Sequence, residues 1–299
     1  GARRMSRGPE GHIYLFGEVL FDHFPDGSRV LGGAPFNVAW HLQAFGQSAR
    51  LISRIGSDPE GEQVLSAMRS WGMNTDYIQV DPRRPTGRVA VSFSNGEPSY
   101  EIVTDCAYDA IEPTAVESCR LLYHGSLAAR ATTSAAALRQ LRDAAAGSVF
   151  VDVNLRPPWW QADSLRTSLA GADWVKLNHE ELALLGEPDT EGEPGQLFLH
   201  RYGLRGLLVT HGARGAELLL AGGERLTVAP RPNIEVVDTV GAGDAFSAVL
   251  LLGLSREWPL PLTLQRAQEF AAAVVGCRGA TIADRDFYRA FSLRWHTAD

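Results

Sequence analysis

The stretch Val237-Asp238-Thr239-Val240-Gly241-Ala242-Gly243-Asp244-Ala245-Phe246 decides the reading of this chain. A strand-like run, Ile234 to Val237, ends in it, and a helical pattern, Ala242–Leu254, begins in it. At the junction Gly241, Ala242 and Gly243 leave backbone amides unobstructed at a helix N-terminus. Such amides, added to the helix dipole, form an anion site. Asp244 falls in the first helical turn, beside that anion. Like charges so close are unfavourable unless the site performs a reaction, and proton removal from a hydroxyl as a phosphoryl group arrives is one that fits. A bare Gly-x-Gly would read as a tight turn with a capping acid; the whole string reads as a site.

Outward from this string, short apolar strands alternate with helical patterns, the rhythm of a parallel sheet covered by helices. Candidate strands are His12–Gly17, Arg50–Ile55, Leu121–His124, Ser148–Val153, Trp174–Leu177 and Gly206–Thr210. Candidate helices include Pro35–Phe45, Pro59–Trp71, Thr133–Ala145, Gln161–Ala170, Glu180–Leu185 and Leu262–Val275. Two stretches break the rhythm. Pro25-Asp26-Gly27 is a turn between short strands, and Asn95-Gly96 divides the alternating Arg88–Ser94 from Ser99–Val103. These predict a small separate β layer, a lid built from residues 20–31 and 77–104 and inserted in one domain over residues 12–296. Residues 1–11 are expected to be flexible or an expression remnant. An exposed lid face of Val89, Val91 and Phe93 suits a homodimer.

The chain has 299 residues, a net charge of −7 and 45% apolar residues, which excludes disordered and collagenous classes. Its basic residues are one lysine, Lys176, against 27 arginines. Gly-Lys never occurs, so a G-x-x-x-x-G-K-[ST] phosphate loop is excluded, as is a V-A-I-K strand. The acidic balance disfavours nucleic acid as a partner. The longest apolar run, Ala245 to Leu254, is too short to span a membrane. Cys106, Cys119 and Cys277 form no C-x-x-C pair and fit a reducing cytoplasm, the expected location. No signal peptide is expected.

Asp238-Thr239-x-Gly241-Ala242-Gly243-Asp244 resembles the C-terminal signature of the ribokinase-like, or PfkB, carbohydrate kinases. The N-terminal signature is present as Gly32-Gly33-Ala34-Pro35-Phe36-Asn37-Val38-Ala39, and the likeness runs from Gly17 to about Thr281. The resemblance implies a three-layer α/β/α core with a small β-sheet lid. It also implies ATP-dependent phosphorylation of a sugar hydroxyl, with Asp244 as base and Gly241, Ala242 and Gly243 as the anion hole. In such a reaction charge spreads over the phosphoryl oxygens, so positioning matters more than nucleophile strength. The helix dipole is expected to keep Asp244 acidic.

Further roles follow by the same resemblance. Asp22, Gly32, Gly33 and Asn37 match sugar-contacting positions. Asp152-Val153-Asn154-Leu155-Arg156 resembles a run of fructokinase-like members, with Asn154 and Arg156 facing the crevice and Arg156 reaching a phosphate or an anionic substrate group. A structural salt bridge from Arg156 to Asp152 or another acid is the alternative. Asn178-His179-Glu180-Glu181 resembles the N-x-x-E element, with Glu181 holding Mg2+ through water; it is equally a capping box. Thr210, Gly212, Gly215 and Thr239 match nucleotide-binding positions. Asp238, with Gly276 to Ala280, matches a monovalent-cation site, predicting K+ activation. Tyr123-His124-Gly125-Ser126 is a candidate wall of the sugar pocket. Lys176 either touches a nucleotide phosphate or is a strand-end lysine. Fructose is the first candidate substrate. Ribose, a ketodeoxy sugar acid or a nucleoside remain open, because bulky Phe36 and Trp40 stand where relatives often carry small residues. A non-catalytic sensor on the same scaffold is the contrasting class.

Overall fold

The computed structural model describes residues 11–144, 147–187, 191–229, 241–277 and 279–296. The expectations placed on Asp238, Thr239 and Arg278 lie outside them. The chain begins β1 (His12–Phe16), β2 (Leu20–His23), β3 (Arg29–Gly32), α1 (Ala34–Ala44), β4 (Ala49–Gly56) and α2 (Pro59–Trp71). It continues β5 (Ile78–Asp81), β6 (Gly87–Ser94), β7 (Glu97–Ile102), β8 (Cys119–His124), α3 (Thr132–Ala144), β9 (Ser148–Asp152), α4 (Ala162–Leu169), β10 (Trp174–Asn178) and α5 (His179–Leu185). It closes with α6 (Pro194–Arg201), β11 (Gly206–Thr210), β12 (Ala216–Leu220), β13 (Arg225–Val228), α7 (Ala242–Arg256), α8 (Leu260–Val275) and α9 (Arg285–His296).

Nine strands form one sheet in the order β13-β12-β11-β10-β9-β8-β1-β4-β5. From β11 to β5 all pairings are parallel; β12 and β13 add an antiparallel edge. Successive strand residues point to opposite faces, and both faces are covered. Ile13, Leu15, Phe150 and Leu208 pack against α1, α2, α7, α8 and α9. Their neighbours point the other way: Tyr14 and Phe16 meet α3, while Val151, Val175 and Val209 meet α4, α5 and α6. This is the expected three-layer core, and it explains why the strands read as unbroken apolar runs.

The small sheet has the order β3-β2-β6-β7. It is narrower than the expected 77–104 segment: β5 pairs in parallel with β4 at the edge of the main sheet. Alternation marks a half-covered strand but does not choose its partner, and β5 finds an open main-sheet edge. The face expected to be exposed is so only at its outer end. Val89 and Val91 are buried and Phe93 is exposed, as are Tyr100 near it on β7 and Val30 on the edge strand β3. Glu60, at the start of α2, fastens this sheet to the core through His23 at 3.2 Å, Arg88 at 3.3 Å and Arg29 at 3.5 Å. Phe36 and Trp40 are core residues. Trp40 stacks on Trp71 at 4.4 Å, and its Nε1 donates to the Ile282 carbonyl.

Candidate active site

The C-terminal ends of β9, β10 and β11 and the N-terminus of α7 meet at one edge of the sheet, where open α/β folds place their ligands. There Asn154, Arg156, Asn178, Glu181, Thr210, Gly241, Gly243 and Asp244 line one cleft of about 220 Å³, together with Asp152 and Lys176. Gly241 precedes α7 with φ 79°, and a Cβ on it would lie 2.6 Å from the Ala280 Cβ. Only glycine fits, so Ala280 sets the close approach of the chain that starts the helix.

The N-terminal half reaches this cleft through α1. Gly33 caps α1 with φ 105°, and a Cβ there would strike the Glu18 carbonyl at 2.6 Å. That tight start carries Asn37 to Asp244: Asn37 Nδ2 donates to Asp244 Oδ2 at 2.9 Å across 207 residues of sequence. Asn37 Oδ1 is buried and has no hydrogen-bond partner among the described residues. Burial raises the Asp244 carboxyl above its usual range and nearby Asp152 adds to this, while the Asn37 hydrogen bond, Lys176 and Arg156 oppose it. The dipole argument thus fails here, because removal from water outweighs it.

Asp22 lies on β2 at the small sheet. Burial raises its carboxyl, opposed by the charges of Arg156 and His23. Arg156 is exposed, and among the described residues no carboxylate lies within ion-pair distance of it. Asp152 pairs instead with Lys176 at 3.5 Å, so the expected Arg156–Asp152 alternative is replaced. Asn154 adopts φ 37°, a left-handed conformation that asparagine tolerates better than most residues. Its segment is tied down by Leu155 N donating to Glu181 Oε2 at 2.6 Å.

Asn178 and Glu181 form the reciprocal capping box: Glu181 N donates to Asn178 Oδ1 at 2.7 Å and Asn178 N to Glu181 Oε1 at 2.9 Å. Both Glu181 oxygens therefore hold backbone amides. Among the described residues no group of three or more His, Cys, Asp or Glu could hold a metal ion. With both oxygens so engaged, Glu181 could meet a hydrated cation only through its water. Gly212 and Gly215 sit in the turn after β11 and are not among the residues lining the cleft. Gly215 is accounted for locally, since a Cβ on it would lie 2.1 Å from the Val228 carbonyl.

Sequence reasoning missed part of the site. Glu18, directly after β1, is buried, and burial pushes its carboxyl up to about 7; Arg156 and Arg130 oppose this and Asp244 adds to it. Its place after an apolar strand and before Gly32-Gly33 was the available signal. Tyr123 and His124, read as a pocket wall, are fully buried. Tyr123 OH donates to Asp152 Oδ2 at 2.8 Å, and His124 meets Arg142 at 3.3 Å.

Comparison with known proteins identifies the family. The model of the pfkB family carbohydrate kinases matches residues 9–286. A fructokinase from Klebsiella pneumoniae is 33% identical over 263 residues, covering 82% of this chain and 85% of the relative. An uncharacterized sugar kinase from Pyrococcus horikoshii, solved in complex with ATP, superposes with a TM-score of 0.75 at 26% identity, covering 93% of this chain and 99% of the other. Aminoimidazole riboside kinase from Salmonella enterica superposes with a TM-score of 0.79 at 25% identity, covering 94% and 100%. The chain belongs to the pfkB family of carbohydrate kinases and has the ribokinase-like fold. As a carbohydrate kinase it is an enzyme, which sets aside the sensor reading. No helix among the described residues is long and apolar enough to cross a membrane.

Proposed function

We propose that this enzyme phosphorylates a sugar hydroxyl with ATP, fructose being the first candidate, and that Asp244 is the base. The observation that carries the reading is the Asn37–Asp244 hydrogen bond at the start of α7, which joins the sugar signature to the phosphate signature in one place. A sugar hydroxyl donating to Asp244 would lie beside Asn37 Oδ1, a buried acceptor suited to a second hydroxyl. Asp22, Gly32 and Gly33 supply the rest of the sugar side. The amides of Gly241, Ala242 and Gly243 hold the charge of the phosphoryl group in transfer. Asn178, Thr210, Gly212, Gly215 and Thr239 would face the nucleotide. Mg2+, bound with Glu181 through water, would neutralise phosphate charge. The contact of Ala280 with Gly241 supports the reading that K+, bound with Asp238 and carbonyls near Ala280, would fix that loop.

Two observations bear on the substrate. Phe36 and Trp40 point into the core, so they do not argue against a hexose. Arg156, without a carboxylate partner among the described residues, favours a second reading, a ketodeoxy sugar acid. Val30, Phe93 and Tyr100 share the sheet face of Asp22, and a second copy of the chain over them would cover that face. The test is ADP release across fructose, ribose, ketodeoxygluconate, aminoimidazole riboside and adenosine, with Asp244→Asn alongside. We expect one sugar to stand well above background and Asp244→Asn to fold but lose about 10³-fold in turnover. Near-normal turnover in that variant removes Asp244 as the base.

A further inference from the structure

The only lysine of the chain lies beneath the start of α7. On β10, Lys176 is in register with Asp152 on β9. Its Nζ donates to the Gly243 carbonyl at 3.0 Å and to Asp152 Oδ2 at 3.5 Å. Asp152 Oδ2 also accepts from Tyr123 OH at 2.8 Å and from Ser247 Oγ at 3.1 Å. Ser247 Oγ in addition reaches the Gly243 carbonyl at 3.0 Å. Lys176, Asp152, Tyr123 and Ser247 are all buried.

The Gly243 carbonyl belongs to the same rigid peptide plane as the Asp244 N–H. Glycine does not restrict that plane through a side chain of its own. The ammonium below does so instead. A Cβ on Gly243 would come 3.4 Å from Lys176 Nζ, so the ammonium sits directly against the Gly243 backbone, where a planar guanidinium would present its donors in a different, fixed geometry. Arginine serves at the 27 other Lys or Arg positions, and the one lysine stands beneath this peptide.

We propose that Lys176 is a positioning residue for phosphoryl transfer: its ammonium fixes the Gly243–Asp244 peptide plane and neutralises Asp152, so that Asp244 meets the substrate in one orientation beside a compensated neighbour. The inference rests on the kinase reading above for its consequence in turnover. The groups acting on Asp244 are Asn37 from α1, Asp152 from β9, Arg156 from the loop after β9, Lys176 from β10 and Glu18 from the loop after β1. Without Lys176, the Asp152 charge acts on Asp244 unopposed by its nearest cation.

The test uses Lys176→Met, of similar length, and Lys176→Met combined with Asp152→Asn, which restores neutrality. Two quantities are read: the Asp244 carboxyl titration by 13C NMR, assigned by its loss in Asp244→Asn, and kcat and KM against pH. In Lys176→Met the titration midpoint should rise by about one pH unit. Its kcat should fall on the order of 100-fold with KM little changed, and Lys176→Arg should not rescue it. In the double variant the midpoint should return while kcat stays about tenfold low, because the carbonyl clamp is still missing. A folded Lys176→Met with the wild-type midpoint and kcat overturns the inference. If that variant does not fold, wild-type kcat in the double variant overturns it. If the wild type releases no ADP with any sugar, the kinase reading fails, and the midpoint alone still decides whether Lys176 governs Asp244.

Discussion

Replacing Glu18 by glutamine tests the electrostatics of the sugar side. Glu18 is 6% exposed, and burial pushes its carboxyl up to about 7, well above the ordinary glutamate range. An acid with a raised folded-state pKa binds its proton more tightly folded than unfolded. Its neutral form therefore costs nothing below the unfolded pKa, and stability is lost as pH rises through the folded value. Carrying the carboxyl from the ordinary range to about 7 corresponds to about 3 kcal/mol of lost stability above that pH. Glu18→Gln keeps the shape and removes the titration. The variant should match the wild type near pH 4.5 and exceed it by up to about 3 kcal/mol at pH 8 to 9, or about 6 °C in Tm for a chain of this size. Urea unfolding from pH 4.5 to 9, followed by circular dichroism, reads the difference curve directly. A stability difference that is constant across that range would refute the buried-acid argument, whatever its size.

Two further outcomes follow from the first turn of α7. Gly241→Ala should cost at least about 2 kcal/mol, since it adds a left-handed alanine and a 2.6 Å contact with Ala280; thermal unfolding measures this, and an unchanged Tm would mean the 276–280 segment yields freely. Asn37→Leu removes a hydrogen bond that lowers the Asp244 carboxyl. The acid limb of kcat/KM should then move to higher pH, with activity lost first on the acid side; a limb that stays in place separates Asn37 from the base.

The central layer was legible because strands buried on both faces leave a local trace. Ile13 and Tyr14 point to opposite sides, yet both are apolar. The partner of each strand leaves no such trace. The run at β5 alternates like a lid strand, yet pairs with β4. The hairpin of β12 and β13 and helices α6 and α9 leave a weaker trace in the sequence. In α9 Tyr288, Phe291 and Trp295 face the core, but three arginines dilute that stripe.

In the site, residues in signatures were legible and residues that act from beneath were not. The cleft gathers acids: Asp244 and Asp152 line it, and the charges of Asp22 and Glu18 act on the same arginine. Lys176 points at Asp152 and the Gly243 carbonyl, so its charge is largely spent within the protein. Arg156 is the exposed cation left in the cleft, and its charge lowers the carboxyls of Glu18, Asp22 and Asp244 alike. An arriving phosphate would compete for that charge. It would thereby weaken the force keeping the three carboxyls ionised, and Asp244 would become a stronger base as the phosphoryl donor is seated. On the proposed reading of Asp244 as the base, the same acids that disfavour an anion by charge thus couple phosphate binding to the basicity of that group.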